Sequence, residues 1–274
     1  MTNQFSAYHE ANRKSWNAAT AQHHTHKLGL IEQYRGGHNN LFPEDMALLD
    51  DAAGKSLVHL QCNDGQDTLS IAKHAHANVL GVDISDTAVG AAKALAAGAG
   101  IPATFVRSDI FDWFEQNETR YDLVYTSYGA INWIADIKTW GAGVAQTLKP
   151  GGKFVMIEFH PTLMIFDFEH DWSAKYDGIG GKPIPLEGVG DYVGNDFEGA
   201  YQNPHPSWEF VWAVGEVTDA LLSAGLAITH LREHPYINGW QASQDMRPIE
   251  GSRYIVPEHM PTIPLMYSIA ATKP

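Results

Sequence analysis

The residues richest in chemistry stand in one short stretch. Residues 59–69 read HLQCNDGQDTL, between an apolar run and a helical pattern, and eighteen residues after Gly65 comes Asp83, closing a second apolar run, VLGVDIS. A tight turn at a strand–helix junction aims backbone N–H groups and a helix N-terminus at a polar ligand, and an acid ending the next strand can accept two hydrogen bonds from ribose hydroxyls. The implied chemistry is that of holding a nucleoside cofactor. The plainer alternative is a strand–helix turn in which Asp83 only caps the following helix. Fourteen histidines invite a metal reading, with HHTH (23–26), His74 with His76, and His230 with His234 as candidates. None has Cys/His or His/carboxylate ligand spacing, so no metal site is expected.

An alternating series of elements must position that loop. SLVHLQ, VLGVDI, ATFVRS, YDLVYTS and GKFVMIEF are short apolar strands separated by helical segments, a rhythm that predicts a parallel sheet with helices on both faces. Between the fourth and fifth strands, Trp133, Ile134, Ile137, Trp140, Val144 and Leu148 repeat at helical intervals, and LKPGG (148–152) ends the helix. Upstream, residues 1–49 form an arm: Phe5, Tyr8, Asn12 and Trp16 lie at helical spacing, AQHHTHKLG reads as a loop, and PEDMALLDDAAG starts a second helix at Pro43 and ends it at Gly54. The core occupies 50–159. After it, residues 160–213 lose the rhythm and are rich in Gly, Pro, aromatics and acids; so long a segment is expected to carry structure of its own and, leaving from the ligand-binding edge, to act as a lid. Residues 214–274 return to pattern, with a helix in VGEVTDALLSAG closed by Gly225 and strands in LAITHLREHP and PLMYSIAATK. One domain spans 1–274.

Composition narrows the partners. With 18 Lys+Arg against 32 Asp+Glu and a formal charge of −14, the chain would repel a phosphate backbone, so nucleic acid is not expected. Cys62 is the one cysteine, which removes any intramolecular disulfide framework. Residues 1–16 contain no apolar leader and no stretch has membrane-spanning length, so a cytoplasmic protein without a membrane partner is expected. Oligomeric state is not readable.

In order, these pieces resemble the class I S-adenosylmethionine-dependent methyltransferases from about Lys55 to Phe159. The resemblance implies a Rossmann-like, mostly parallel seven-stranded sheet with its last strand antiparallel, and S-adenosylmethionine as cofactor. It makes the loop carrying Gln61, Cys62, Asn63, Gly65, Asp67 and Thr68 the first cofactor motif and Asp83, with Ile84 and Ser85, the ribose site. By the same resemblance SDI (Ser108, Asp109, Ile110) lies beside the adenine, with Ile84 and Ile110 on its faces and Asp109 on its exocyclic amine, while Ser127 and Tyr128 lie near the sulfonium. The chain departs from the family where an acid and GxGxG are usual: here stand His59, Gln61, Asn63 and Gly65, so only the last glycine survives. Either Gln61 and Asn63 use side chains where the family uses bare backbone, or the loop holds its ligand differently. Asn tolerates positive φ well, and Gln offers both donors and an acceptor. Nicotinamide is the competing cofactor, disfavoured by the missing GxGxxG and by SDI and LKPGG.

The acceptor side is read from residues at the same edge. Methyl transfer from a sulfonium is an in-line displacement that needs positioning and exclusion of water above all. For a hydroxyl or protonated amine a base would help, and His160, just past the fifth strand, is a candidate beside Tyr128; equally, His160 caps the strand. Trp16 and Tyr8 either close over the cofactor, where aromatic faces attract a sulfonium, or pack the arm. Tyr192, Tyr201, His205, Trp208 and Trp212 are candidates for the acceptor pocket. A small-molecule acceptor is the leading expectation; a protein substrate and a non-catalytic S-adenosylmethionine-binding regulator are the alternatives.

Overall fold

The computed structural model describes residues 5–168, 170–194 and 201–274. The apolar runs form strands because both their faces are covered: β1 (Ser56–Leu60), β2 (Asn78–Asp83), β3 (Thr104–Arg107), β4 (Tyr121–Ser127) and β5 (Leu148–Phe159) pair in parallel. Two later strands, β8 (Ala227–His234) and β12 (Met266–Thr272), complete a seven-stranded sheet in the order β3-β2-β1-β4-β5-β12-β8. The last strand in sequence, β12, runs antiparallel to β5 and to β8. Strand order reverses between β1 and β4, which opens a crevice at their carboxyl ends.

Helices α4 (Gln66–Ser70), α5 (Asp86–Ala99), α6 (Ile110–Gln116) and α7 (Ile137–Thr147) fill the crossovers. In α7 the Asp136 side chain caps the N–H groups of Lys138 and Thr139, and Ile137, Trp140 and Val144, spaced three and four apart, face the sheet. Trp140 meets Phe154 of β5 edge to face, 5.6 Å between centroids. Gly143 lets the Phe114 ring lie against the helix; a Cβ there would come within 2.1 Å of it.

Several elements depart from expectation. LKPGG follows the end of α7 at Thr147, as expected, but is itself part of β5. It forms the strand's start as a bulge, for the pairing jumps from Tyr121↔Leu148 to Leu123↔Lys153, with Gly151 at φ 74°. The arm helix α1 (Ser6–His23) absorbs part of the predicted histidine loop, a short α2 (Leu30–Arg35) follows, and α3 (Pro43–Leu48) stops well before Gly54. The insertion has structure of its own: α8 (Pro161–Met164) and a two-stranded sheet of β6 (Pro183–Leu186) and β7 (Ser207–Phe210). Residues 169 and 195–200 of it lie outside the described residues. After α9 (Val214–Ser223), Gly225 takes φ 88° one residue past the helix cap. A three-stranded sheet of β9 (Ile237–Asn238), β10 (Arg247–Ile249) and β11 (Arg253–Ile255) precedes β12 and carried no period in the sequence.

Candidate functional site

The loop after β1 turns back on itself through three left-handed residues. Gln61 has φ 51°, Asn63 φ 49° and Gly65 φ 79°. The two family glycine positions that this chain fills with Gln and Asn therefore keep glycine-like backbone, at a cost of about 1 kcal/mol each. The surviving Gly65 answers a different demand: a Cβ would lie 2.8 Å from Ala92 and from the Phe105 ring, so it permits close packing of helix, strand and loop. Gln61 Nε2 donates to the Ala130 carbonyl at 3.2 Å, joining the loop to the turn after β4, while its Oε1 is buried without a partner.

Asp83 ends β2 beside this loop. One carboxylate oxygen accepts from Asn63 N–H and the other from Ser85 N–H, each at 2.8 Å, so the group is oriented before any ligand arrives. Burial pushes it up to about 6, against the pull of those two bonds. Ile84 follows, half-buried, and Ile110 is buried at the start of α6. Asp109 caps α6 by accepting from Phe111 N–H, and its second oxygen accepts from His9 of the arm at 2.6 Å. Ser108 bonds the Asp83 carbonyl through its N–H. Asp109 is thus tied to both arm and core, a tether the sequence did not reveal.

Arm and insertion meet over the loop. Trp16 lies edge to face against Trp133 (5.3 Å) and Tyr192 (6.3 Å). Tyr192 is 42% exposed, and burial of its hydroxyl near Asp64 pushes the phenol up. Beside it Asp191 accepts from Gln22 and His26, each at 2.9 Å, and His23 bonds the Gly190 carbonyl. Asp64 accepts from His24 (3.2 Å) and Lys27 (2.6 Å); burial opposes its charge, but these partners and Gln66 outweigh it and hold the carboxyl well below the usual range. The HHTH cluster is therefore a clamp joining α1, the first loop and the insertion. Tyr8 packs on Trp208 and Phe210 of β7 in the insertion, and Trp212 donates to the Ile134 carbonyl. His205 is exposed.

Below the methionine end of the expected site, Ser127 donates to Asp67 at 3.2 Å, and Asp67 also accepts from Asn40. Tyr128 has φ 48° and reaches Asp45 of α3, a fully buried carboxylate that the sequence offers only as an acid at a helix start. Glu158, also missed, takes the N–H groups of Gly129, Ala130, Ile131 and Phe159 and so fixes the turn after β4. The signal for it was an acid closing an otherwise apolar strand.

Other expected residues turn their side chains elsewhere. His160 caps α8: Nδ1 accepts from Thr162 N–H at 3.1 Å and Nε2 faces Glu233 at 3.0 Å, so both ring nitrogens are engaged outside the crevice. Cys62 is buried, its sulfur under Gly81, and burial pushes the thiol up. Thr68 bonds His59 Nδ1, and Ser85 caps α5 while donating to Asn17. Among the described residues no three His, Cys, Asp or Glu side chains are grouped to hold a metal, and no helix is long and apolar enough to cross a membrane. A cavity of about 220 Å³ lined by Asp51, Lys55, Asp122 and Lys153 lies at the opposite, amino-terminal edge of the sheet, its charges already paired.

Comparison with known proteins agrees with this fold. Residues 58–152 match the family model of a methyltransferase domain. A protein of Synechocystis, described as an uncharacterised methyltransferase, is 32% identical over 134 residues; the match spans 48% of this chain and 60% of that protein's length. A Listeria monocytogenes structure described as a candidate S-adenosylmethionine-dependent methyltransferase superposes with a TM-score of 0.59 at 19% identity, covering 84% of this chain and 95% of that one. An S-adenosylmethionine-dependent methyltransferase from Mesorhizobium loti gives 0.54 at 21% identity, covering 87% and 100%. At these identities the superpositions establish the fold.

Proposed function

We propose that this chain, a member of the class I S-adenosylmethionine-dependent methyltransferases, carries the methyl group of S-adenosylmethionine to a small organic acceptor. The observation behind this reading is the loop 61–65: left-handed Gln61 and Asn63, an unpartnered buried Gln61 Oε1, and a pre-oriented Asp83 within one turn. A buried carboxamide oxygen without a donor costs roughly 1–3 kcal/mol, and the methionine ammonium is a donor suited to it. Asp83 would accept the ribose hydroxyls, and Ile84 and Ile110 would flank the adenine. Trp16 and Tyr192 would exclude water on the sulfonium side and present aromatic edges and faces to the cation. When bound, the cofactor supplies an activated methyl carbon and a good leaving group, so this chain's residues need to orient the two partners and keep them dry.

Two features favour a small acceptor. The crevice is roofed by α1 and the insertion, and the charge of −14 disfavours polyanions. Calorimetric titration with S-adenosylmethionine, S-adenosylhomocysteine and NAD, followed by an S-adenosylhomocysteine release assay over phenols, alcohols, thiols and amines, tests the reading. Cofactor binding with release on one of these classes is expected. Intact binding with silence throughout would favour a regulator, and release only with protein substrates would favour a protein methyltransferase.

A further inference from the structure

We propose that Tyr128 and Asp45 form the proton-accepting side of the acceptor pocket: the Tyr128 hydroxyl takes the acceptor's proton as its own passes to Asp45. This rests on the methyl-transfer reading above. Asp45 is 0% exposed and accepts three hydrogen bonds, from Phe42 N–H at 2.8 Å, Tyr125 Oη at 2.6 Å and Tyr128 Oη at 2.8 Å. Capping α3 requires only the first. The two tyrosines come from β4 and the turn after it, some eighty residues away, and among the described residues no Lys, Arg or His side chain is hydrogen-bonded to this carboxylate. A buried carboxylate without a cation is costly to keep. A site where it must pick up a proton gives it a use.

Tyr128 is placed to pass that proton. Its backbone holds φ 48°, a left-handed conformation that a non-glycine residue keeps only when its surroundings impose it. Its ring lies between Phe42 (6.0 Å) and Phe159 (6.1 Å). A phenol oxygen offers one donor and two acceptor lone pairs. The donor goes to Asp45, one lone pair takes Asn238 Nδ2 at 3.2 Å, and one is left for an acceptor hydroxyl. Two residues further on, the Ala130 carbonyl is held by Gln61, so the hydroxyl belongs to the same turn as the loop that would grip the methionine end.

The step balances. The acceptor oxygen forms a bond to the methyl carbon as the carbon–sulfur bond breaks, its electron pair going to sulfur to give a neutral thioether. The acceptor proton moves to Tyr128 Oη and the Tyr128 proton to Asp45 Oδ2, so a sulfonium and a carboxylate become two neutral groups. The groups facing Asp45 are Asp67 from α4, Tyr125 of β4, Tyr128 of the turn after it, His59 of β1 against the Tyr125 ring (4.9 Å), and Glu44 on its own helix, itself paired with Arg253 and Tyr236. Burial, reinforced by the charge of Asp67, pushes Asp45 up to about 7, where it can take a proton and return it near neutrality.

The test uses two probes that differ only in the methyl group and its charge. A sulfonium near Asp45 favours the carboxylate, whereas S-adenosylhomocysteine carries no such charge. As pH falls from 8 to 6 the free protein protonates at Asp45, so the affinity for S-adenosylmethionine relative to S-adenosylhomocysteine should weaken by up to about tenfold. Asp45→Asn should flatten that ratio, whereas Asp67→Asn, which removes a charge that raises Asp45, should keep the pH dependence with its midpoint moved to lower pH. Tyr128→Phe, which removes a donor that stabilises the carboxylate, should move the midpoint to higher pH. On any acceptor the release assay returns, Tyr128→Phe should lower kcat about 100-fold while KM for S-adenosylmethionine stays within threefold. A wild-type ratio independent of pH, a slope lost with Asp67→Asn but kept in Asp45→Asn, an unmoved midpoint or an unchanged kcat would each overturn the proposal. Failure of both probes to bind would instead overturn the methyl-transfer reading itself.

Discussion

Replacing Asp83 by Asn isolates the ribose contact, because the side chain keeps its shape and loses only charge and one acceptor. In the native site each carboxylate oxygen holds one backbone N–H, from Asn63 and Ser85, and keeps a lone pair for a ribose hydroxyl. An Asn must turn its NH2 toward one of those N–H groups, which opposes two donors and leaves that ribose hydroxyl without an acceptor. A hydrogen bond to a charged group contributes about 1.5–3 kcal/mol. Losing one and weakening the other comes to about 3 kcal/mol, or roughly 100-fold in affinity. Calorimetry with S-adenosylhomocysteine at pH 7.5 reads this directly. The pH dependence has a fixed sign. Asp83 titrates at about 6 in the free protein and the ribose needs its ionised form, so wild-type affinity should fall as pH drops through 6 and Asp83→Asn should lack that fall. Affinity within threefold of wild type in a folded variant, or the same pH slope in both, would refute the assignment.

Three further outcomes are expected. Gln61→Gly should keep the left-handed turn and relieve about 1 kcal/mol of backbone strain, yet weaken S-adenosylhomocysteine while leaving adenosine unaffected; equal losses for the two ligands would remove Gln61 from the methionine end. Glu158→Gln cannot satisfy all four N–H groups of the turn after β4, and at about 1–3 kcal/mol for a buried unpaired donor the melting temperature should fall by about 5 °C, as calorimetric scanning would show. Asp191→Ala frees the insertion from Gln22 and His26, two bonds at about 1 kcal/mol each, so S-adenosylhomocysteine should dissociate up to about thirtyfold faster in stopped flow; an unchanged rate would mean that this clamp does not gate exchange.

What could be read from sequence follows from locality. The five parallel strands were legible because strands covered on both faces are near-continuous apolar runs, and Asp83 because it ends one of them. The tolerance of Asn63 for positive φ was legible for the same reason; that Gln61 shares the conformation was not, since nothing in its chemistry asks for it. Asp45 read as an ordinary acid at a helix start because its partners Tyr125 and Tyr128 lie 80 and 83 residues away. The histidines of 23–26 read as a solvated loop, since their carboxylate partners Asp64 and Asp191 come from the loop after β1 and from the insertion. His160 stood between two roles, and the engagement of both its nitrogens settles where it points. The small sheet β9–β11 has strands of two or three residues, too short to show a period.

A single titration tests whether the crevice above β1, β2 and β4 holds S-adenosylmethionine. Wild-type protein titrated separately with S-adenosylhomocysteine and with NAD should bind the first at one site per chain and show no heat with the second, and Asp83→Asn should lose most of that binding. Binding of NAD alone, or binding of S-adenosylhomocysteine that Asp83→Asn leaves intact, would contradict it.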